Sequence, residues 1–469
     1  MTQHTQDIQE TRGAVRFVGG EMLNWSDLDG THGPGPVRGA ALAPFLAAAR
    51  GRTLIAGPHD PALLDAVPGA TLLVRGVADA ETLSRRAGAT VLCGGPAKLS
   101  AEAPFDTVIA LAGLECLGTA EQDDLGWAET LDLLREALAP GGVLILGLEN
   151  LASVHRRLAV PQPPSDAGWT PLPDESRPAG LIQARAVLGQ ATRAFGVYPG
   201  LQGPEVILDE QARGGVVEAA LTRAFAGHEA VVADPGAMAV EFVRQGLGVL
   251  AAPAWIVVAA RDEVRLPEVP CGPPRGPEGP TLESAVERAA GRRDLPELRR
   301  LLAAWQASPA AGVRAGQVIL TAEGGFVPLV PAAGPADALR ELAERLYRGG
   351  FPHPWPDVRS AGEVAALLAA MAGLDGDAVG HVSDSGEAEE AAEPVVLTEV
   401  LAERDRLRGE VAEAWAQAAF FEGELNAGEA EVRELRRTVE LLSGSGPARA
   451  GQVFVGGVRA ARRVLRRRS

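Results

Sequence analysis

Residues 105–150 read "FDTVIALAGLECLGTAEQDDLGWAETLDLLREALAPGGVLILGLEN", and this stretch decides the fold. It begins and ends with short apolar runs, each of the length expected for a buried strand. Between them, leucines at three- and four-residue spacing, including Leu131 and Leu134, predict a helix over 127–139. The "PGG" at 140–142 ends this helix before the second strand.

The alternation of strand and helix extends beyond this stretch in both directions. Strands are predicted from apolar runs at 53–56, 71–74, 90–92, 107–111 and 143–148. Helices are predicted at 37–49 and 79–87. Strands that alternate with helices indicate a parallel sheet covered on both faces. The predicted fold is therefore a doubly wound, Rossmann-like α/β sheet.

A second block completes this domain, which we predict to span 51–262. Its pattern predicts a helix at 181–195, an extended segment at "PEVILD" and a helix that leads into a closing strand before residue 262.

Composition divides the rest of the chain. The predicted regions are an N-terminal arm and helix (1–50), an accessory α/β segment (263–373), an acidic flexible linker (374–394), a coiled-coil helix (395–443) and a basic tail (444–469). Residues 1–30 lack periodicity and predict a loose arm. The accessory segment predicts helices at 281–306 and 335–348, with a hairpin that turns at 323–325.

The predicted C-terminal helix carries an apolar seam at alternating three- and four-residue spacing. Its members are Val400, Leu407, Val411, Ala414, Ala418, Phe421, Leu425, Val432, Leu435, Val439 and Leu442. Arg404 and Gly428 occupy the two remaining seam positions. About six heptads predict a coiled coil and a homo-oligomer, while one helix packed on its own chain is the alternative.

Charge and composition exclude several classes of function. The 469 residues carry a formal charge of −17, which argues against nucleic acid as the main partner. Three scattered cysteines without CxxC spacing favour a reducing cytoplasm, and no pair of histidines has metal-ligand spacing, so we predict no metal site. Residues 1–17 lack the apolar core of a signal peptide.

The basic tail contrasts with the acidic chain, with seven arginines and no acid between 449 and 469. A solvated tail, contact with an anionic membrane surface and contact with nucleic acid are the three interpretations. We therefore predict a cytoplasmic protein, with peripheral attachment to the inner membrane face as a further option.

The order of elements in 105–150 resembles the class I S-adenosylmethionine-dependent methyltransferases, in particular bacterial members from polysaccharide and natural-product pathways. In such sheets, ligands meet the residues that directly follow each strand. The resemblance therefore implies S-adenosylmethionine as the cofactor. The residues implied to bind it are Gly57, His59, Asp79, Gly94 and Ala110.

The resemblance also implies a base that takes a proton from the acceptor hydroxyl. Glu149 and His155, which follow the last strand of the stretch, are the candidates. Structural roles are the alternatives: a loop contact for His59, a polar strand end for Glu149 and a surface helix position for His155. The implied substrate is a glycan or a small molecule, which could be a glycolipid precursor or a natural-product intermediate.

The sequence departs from the family at two of the cofactor positions. Gly57 is followed by Pro58 and His59 where the family has further glycines. The second strand ends at Arg75, although the family places there an acid that accepts the ribose hydroxyls. These departures favour a second hypothesis, in which a non-catalytic methyltransferase fold acts as a coiled-coil scaffold for partner enzymes.

Overall fold

The structure is a computed structural model of the chain, and it describes most of residues 15–374 and part of a helix between 404 and 437. Outside the description within the first range are 31, 34, 87, 103, 121–124, 159–173, 190, 227–233, 263 and 349–352. Within the second range the described positions are 404, 406–411, 413–417, 420, 421, 428, 432, 433 and 435–437. The chain divides into two compact units, Met1–Thr398 and Glu399–Ser469.

A nine-stranded sheet forms the centre of the described part of the first unit. Its strands are β1 (Val15–Gly19), β2 (Thr53–Ala56), β3 (Thr71–Val74), β4 (Thr90–Gly94), β5 (Phe105–Ala110), β6 (Leu138–Glu149), β7 (Thr192–Tyr198), β8 (Val206–Leu208) and β9 (Ala254–Ala260). They lie in the order β1-β4-β3-β2-β5-β6-β9-β7-β8.

The first six strands of this sheet are parallel, and β9 runs antiparallel between β6 and β7. The chain winds outward from β2 to β4 in one direction and from β5 to β6 in the other. This reversal of strand order between β2 and β5 is the switch point of a doubly wound sheet. The predicted Rossmann-like α/β fold class is confirmed.

Helices cover both faces of the sheet, and further helices form the accessory region, which is the predicted accessory segment (263–373). They are α1 (Ala43–Ala47), α2 (Pro61–Leu64), α3 (Val77–Leu83), α4 (Trp127–Glu136), α5 (Val154–Leu158), α6 (Leu181–Leu188), α7 (Gly215–Ala224), α8 (Pro235–Arg244), α9 (Leu282–Gly291), α10 (Leu295–Gln306), α11 (Pro335–Arg348) and α12 (Ala361–Ala372). Asp60 and Asp234 cap α2 and α8 by accepting hydrogen bonds from backbone amides, which replaces bonds that a helix start lacks.

The sheet separates two hydrophobic cores, because successive side chains of a strand point to opposite faces. In β5, Val108 and Ala110 belong to one core and Ile109 to the other. Leu131 of α4 closes the first core, and Leu83 of α3 closes the second. Burial on both faces explains why these strands read as continuous apolar runs.

The accessory region contains α9 to α12 and a hairpin of β10 (Val318–Leu320) and β11 (Phe326–Pro328). The predicted hairpin and the predicted helix at 335–348 are confirmed. The region has its own core, in which Trp305 and Leu339 are fully buried. It belongs to the same compact unit as the sheet.

Two ion-pair groups join the accessory region to the sheet domain, and we call them the accessory contact. In the first, Arg244 donates from Nε and Nη2 to the two carboxylate oxygens of Glu218, each at 3.0 Å. Ser284 of α9 donates to the same carboxylate at 2.8 Å. Burial raises the pKa of Glu218, but the hydrogen bonds from Arg244 and Ser284 outweigh burial and lower it overall.

The second group of the accessory contact is centred on Arg345 of α11. Its guanidinium pairs with Asp234 at 2.9 Å and with Glu283. A cavity of about 180 Å³ lies between the two groups, and Glu287 is among the residues that line it. Burial, and then the charge of Glu283, raise the pKa of Glu287 to about 8.

Several expectations about secondary structure are wrong. The helix predicted over 281–306 is two helices, α9 and α10, because Asp294 caps the start of the second. The "PGG" at 140–142 lies inside β6 and not before it.

Two more expectations fail where strands form. The helix predicted over 181–195 ends at Leu188, and Thr192 begins β7, because this segment pairs along its length with β9. The N-terminal arm is not loose throughout, since Val15–Gly19 adds a parallel strand beside β4. In both places pairing with a distant strand outweighs local propensity.

In the second unit, every described position between 404 and 437 is helical and exposed. The coiled coil stays a prediction, since the described positions show only that they are helical. The linker from 375 to 394, the tail 444–469 and residues 1–14 lie outside the described residues. Among the described residues, no helix is both long and apolar enough to cross a membrane.

Candidate functional site: the carboxyl edge of the sheet

The parallel strands β2 to β6 end at one edge of the sheet, which we call the carboxyl edge. The predicted positions Gly57, Gly94, Ala110 and Glu149 all lie at or directly after these strand ends. Ala110 is fully buried at the end of β5. The topology therefore brings the predicted positions to one edge, and the side chains around them decide what that edge can bind.

The first loop folds back on itself at Gly57, which has φ +90° and therefore needs glycine. A Cβ on Gly57 would lie 3.6 Å from the side chains of Ala112 and Leu117, and 3.9 Å from that of Cys116. These are ordinary packing distances. A methyl group would therefore fit between Gly57 and the loop after β5.

His59 is buried and turned toward its own loop. Its Nδ1 lies 3.0 Å from the carbonyl oxygen of Gly57, while its Nε2 has no hydrogen-bond partner among the described residues. Burial lowers the pKa of His59 to about 4, so the ring is neutral at pH 7. Above the loop, the Val37 amide donates to Pro58, and the Asp60 amide donates back to Val37, at 3.1 and 2.9 Å.

Arg75 follows β3 and is fully enclosed. Its Nε and Nη2 donate to the two carboxylate oxygens of Asp27 at 2.8 and 2.7 Å, and its Nη1 donates to the Gly118 carbonyl at 2.9 Å. The guanidinium also lies over the Trp25 ring, 4.9 Å from its centroid. A bidentate pair of this kind fixes both partners in position.

Asp79, the predicted acid, is buried against the N-terminal segment. It accepts hydrogen bonds from the Ser26 hydroxyl and from the amides of Asp27 and Leu28. Burial raises the pKa of Asp79 despite these bonds. Its oxygens thus organise the turn at 26–28, and its role in cofactor binding stays a prediction.

Two glycines at this edge allow the N-terminal segment to approach the strand ends. A Cβ on Gly76 would lie 2.4 Å from the Trp25 carbonyl oxygen, and one on Gly94 would lie 2.3 Å from the Gly19 carbonyl oxygen. The Met22 amide donates to the Arg75 carbonyl oxygen at 2.8 Å. Residues 19–28 therefore lie directly on the ends of β3 and β4.

The two predicted bases lie in different environments. Glu149 is half exposed and pairs with Arg156 at 2.7 Å. His155 is buried, so the surface interpretation of this residue is wrong, and its ring stacks on Phe225 with centroids 5.0 Å apart. Both its ring nitrogens lack partners among the described residues, and burial lowers its pKa to about 4.

Sequence reasoning missed the segment from Met22 to Val37, which supplies Trp25 and Asp27 to the carboxyl edge. A signal was present: "EMLNWSDLDG" combines a tryptophan and a methionine with acids, which a solvated arm rarely needs. Among the described residues, no group of three histidine, cysteine or acidic side chains is placed to hold a metal ion.

No protein-family model matches the chain, and no curated protein matches it. Solved structures that are similar include the S-adenosylmethionine-bound CalS10, an amino pentose methyltransferase from Micromonospora echinaspora involved in calicheamicin biosynthesis. It is 24% identical, and the match covers 31% of this chain and 56% of CalS10, with a TM-score of 0.18.

Two further similar structures have lower identity. The glycopeptide N-methyltransferase MtfA, in complex with S-adenosyl-L-homocysteine, is 15% identical over 55% of this chain and 98% of its own, with a TM-score of 0.22. The MccD protein is 8% identical over 45% and 89%, with a TM-score of 0.21. CalS10 and MtfA are both described as methyltransferases.

Proposed function

We propose that this chain is a methyltransferase-like protein that is not catalytic and that serves as a scaffold for partner molecules. The buried ion pair between Arg75 and Asp27 carries this proposal. In the family that the sequence resembles, the end of this strand offers an acid to the ribose hydroxyls. Here Arg75 offers donors only, and both Asp27 oxygens are already engaged.

The surroundings of Gly57 support the same conclusion. In the resembled family, the backbone of this loop lies against the methionine part of the donor. In this chain only Gly57 remains at the turn, and Pro58, which has no amide hydrogen, and the buried His59 follow it. The carboxyl edge thus departs from the resembled family at both of these positions, and a matching fold does not by itself establish activity.

Titration calorimetry of the full chain with S-adenosylmethionine and S-adenosylhomocysteine tests the proposal. We expect no heat of binding at millimolar ligand and no change in the unfolding temperature, because a ligand that binds the folded state stabilises it. A micromolar dissociation constant for either ligand would overturn the proposal. In that event Gly57→Val should abolish binding, and unchanged affinity would place the ligand away from the carboxyl edge.

An active S-adenosylmethionine-dependent methyltransferase is the second candidate, and a separate observation favours it. His59 Nε2, Thr119 Oγ1 and Trp25 Nε1 are buried at or near the carboxyl edge without partners among the described residues. Buried polar atoms of this kind commonly meet a ligand or an ordered water. The relationship to CalS10 and MtfA suggests a glycan, glycolipid or natural-product acceptor, with Glu149 or His155 as the base.

Methyl transfer from isotope-labelled S-adenosylmethionine to glycan and glycolipid extracts tests this second candidate. Labelled product that disappears in Glu149→Gln would favour it and would assign the base. His155→Phe is the comparison for the other base, since it keeps the ring stack on Phe225 and removes both nitrogens.

We also propose that the basic tail (444–469) contacts an anionic membrane surface. Arginines beside valines and a leucine supply both charge and some apolar area. Co-sedimentation with vesicles that contain anionic lipid should be lost when the tail is removed. Equal sedimentation of the full and shortened chains would contradict this part of the proposal.

A further inference from the structure

The described part of the helix between 404 and 437 exposes several large apolar side chains at predicted seam positions. Leu407, Val411, Phe421, Val432 and Leu435 are all large, apolar and exposed. Each lies at a predicted seam position, so they follow one side of the helix. Exposed large apolar side chains that share one side of a helix are a feature of interaction sites.

We propose that this helix forms a parallel, two-stranded coiled coil with a second copy of the same chain. The inference goes beyond the scaffold function and does not depend on it, because the helix lies outside the sheet domain. Both the partner, a second copy, and the parallel orientation follow from the residues in and beside the seam.

The seam residues favour two strands. When the heptad is written with Arg404 at position a, Val411 and Val432 also fall at a, and Leu407 and Leu435 fall at d. β-branched residues at a with leucine at d favour a parallel dimer. The polar Arg404 at one a position restricts the register, since any other alignment would place it against an apolar partner.

The charges that flank the seam favour the parallel orientation. Four of the g positions in this stretch are glutamates, which are Glu403, Glu410, Glu424 and Glu431. An antiparallel pair places g against g and would bring these acids together. A parallel pair places g against the next e of the partner copy, where Arg408 and Arg436 meet Glu403 and Glu431.

The middle of the seam is its weakest part. Gly428 leaves a d position without a side chain, and the flanking Glu424 meets Glu429 of the second copy in the parallel alignment. Ala414 and Ala418 bury little area. The dimer therefore depends on the large residues on either side of this region, which include Phe421.

Neighbouring phenylalanines allow a matched test. Phe421 lies at d and is 66% exposed, while Phe420 lies at c and is 64% exposed. Light scattering should give the full chain twice its mass of 48.6 kDa. Phe421→Asp should return it to a single chain mass, because a carboxylate in the seam would be desolvated. Phe420→Asp should leave the mass doubled.

Cross-linking tests the orientation separately. Leu407→Cys places a thiol at d, where two parallel copies meet within disulfide distance, and mild oxidation should give a covalent dimer. Arg406→Cys, one residue outside the seam, is the control and should give little covalent dimer. A monomeric unmodified chain, or equal effects of the two phenylalanine variants, would overturn the dimer. A dimer without the Leu407→Cys cross-link would overturn the parallel orientation.

Discussion

Arginine and carboxylate side chains are buried together in two regions of the first unit, and the acids outnumber the arginines in both, but the partners of these acids differ. At the carboxyl edge, Arg75 pairs with Asp27, and Asp79 is satisfied by hydroxyl and amide donors. At the accessory contact, Arg244 and Arg345 face an excess of acids, which include Glu218, Asp234, Glu241, Glu283 and Glu287.

This difference shows how each region accommodates buried charged side chains. At the carboxyl edge both Asp27 and Asp79 have defined donors, and backbone packs against Gly76 and Gly94, so the region behaves as a core. At the accessory contact a cavity of about 180 Å³ remains, and the pKa of Glu287 is raised to about 8. We therefore expect the free energy of unfolding to fall when a charged side chain at the carboxyl edge loses its partner. At the accessory contact we expect it to depend on pH.

Arg75→Met should have the largest effect. It leaves the Asp27 carboxylate buried without its partner, and loss of one member of a buried pair costs about 3–5 kcal/mol of unfolding free energy. Urea unfolding measures the loss. Arg86→Met is the matched control, since Arg86 pairs with the exposed Asp65 and such pairs contribute about 0–1 kcal/mol. Equal losses would show that the Arg75 pair does not hold residues 22–37 in place.

Arg345→Met should cost somewhat less, about 2–4 kcal/mol near pH 8, because it removes the cation that faces Glu283 and Asp234. Toward pH 5 the loss should shrink, since burial raises the pKa of Glu283 and its protonation removes a charge that Arg345 faces. Unfolding free energies at the two pH values check this, with Arg300→Met on the exposed side of α10 as the control. A loss that is the same at both pH values would contradict the comparison.

Gly76→Ala should destabilise the chain by about 1–3 kcal/mol, because its Cβ would lie 2.4 Å from the Trp25 carbonyl oxygen and the backbone must shift. Thermal unfolding measures the change. Gly203→Ala is the control, since its Cβ would meet no atom within 4 Å. A neutral Gly76→Ala would mean that the N-terminal segment is easily displaced from β3.

Glu287→Gln should have the opposite sign to the other variants at high pH. The folded-state pKa of Glu287 is raised from 4.5 to about 8, so its contribution is favourable below about pH 4.5 and is lost as the pH rises toward 8. Glutamine does not ionise and should therefore be more stable than the parent by up to about 4 kcal/mol at pH 8, with no gain near pH 4. A gain that does not vary with pH would show that ionisation of Glu287 is not the cause.

Local patterns predicted most elements of the fold and fewer of the contacts at the candidate site. The helix at 335–348 and the hairpin at 323–325 are confirmed, because their periodicity and turn residues act over a few positions. β1 and β7 were missed because each exists through pairing with a distant strand. The predicted site positions lie along the carboxyl edge, yet Asp27, the partner of Arg75, was missed.

The sequence by itself determined the alternation of strands and helices, the doubly wound order that follows from it and the seam of the C-terminal helix. These features depend on side-chain periods of two, 3.6 and 3.5 residues, which a linear chain displays directly. Only the tertiary structure decided what covers the carboxyl edge. Asp27 and Arg75 are 48 residues apart, and their pairing depends on a strand order that brings both to one edge.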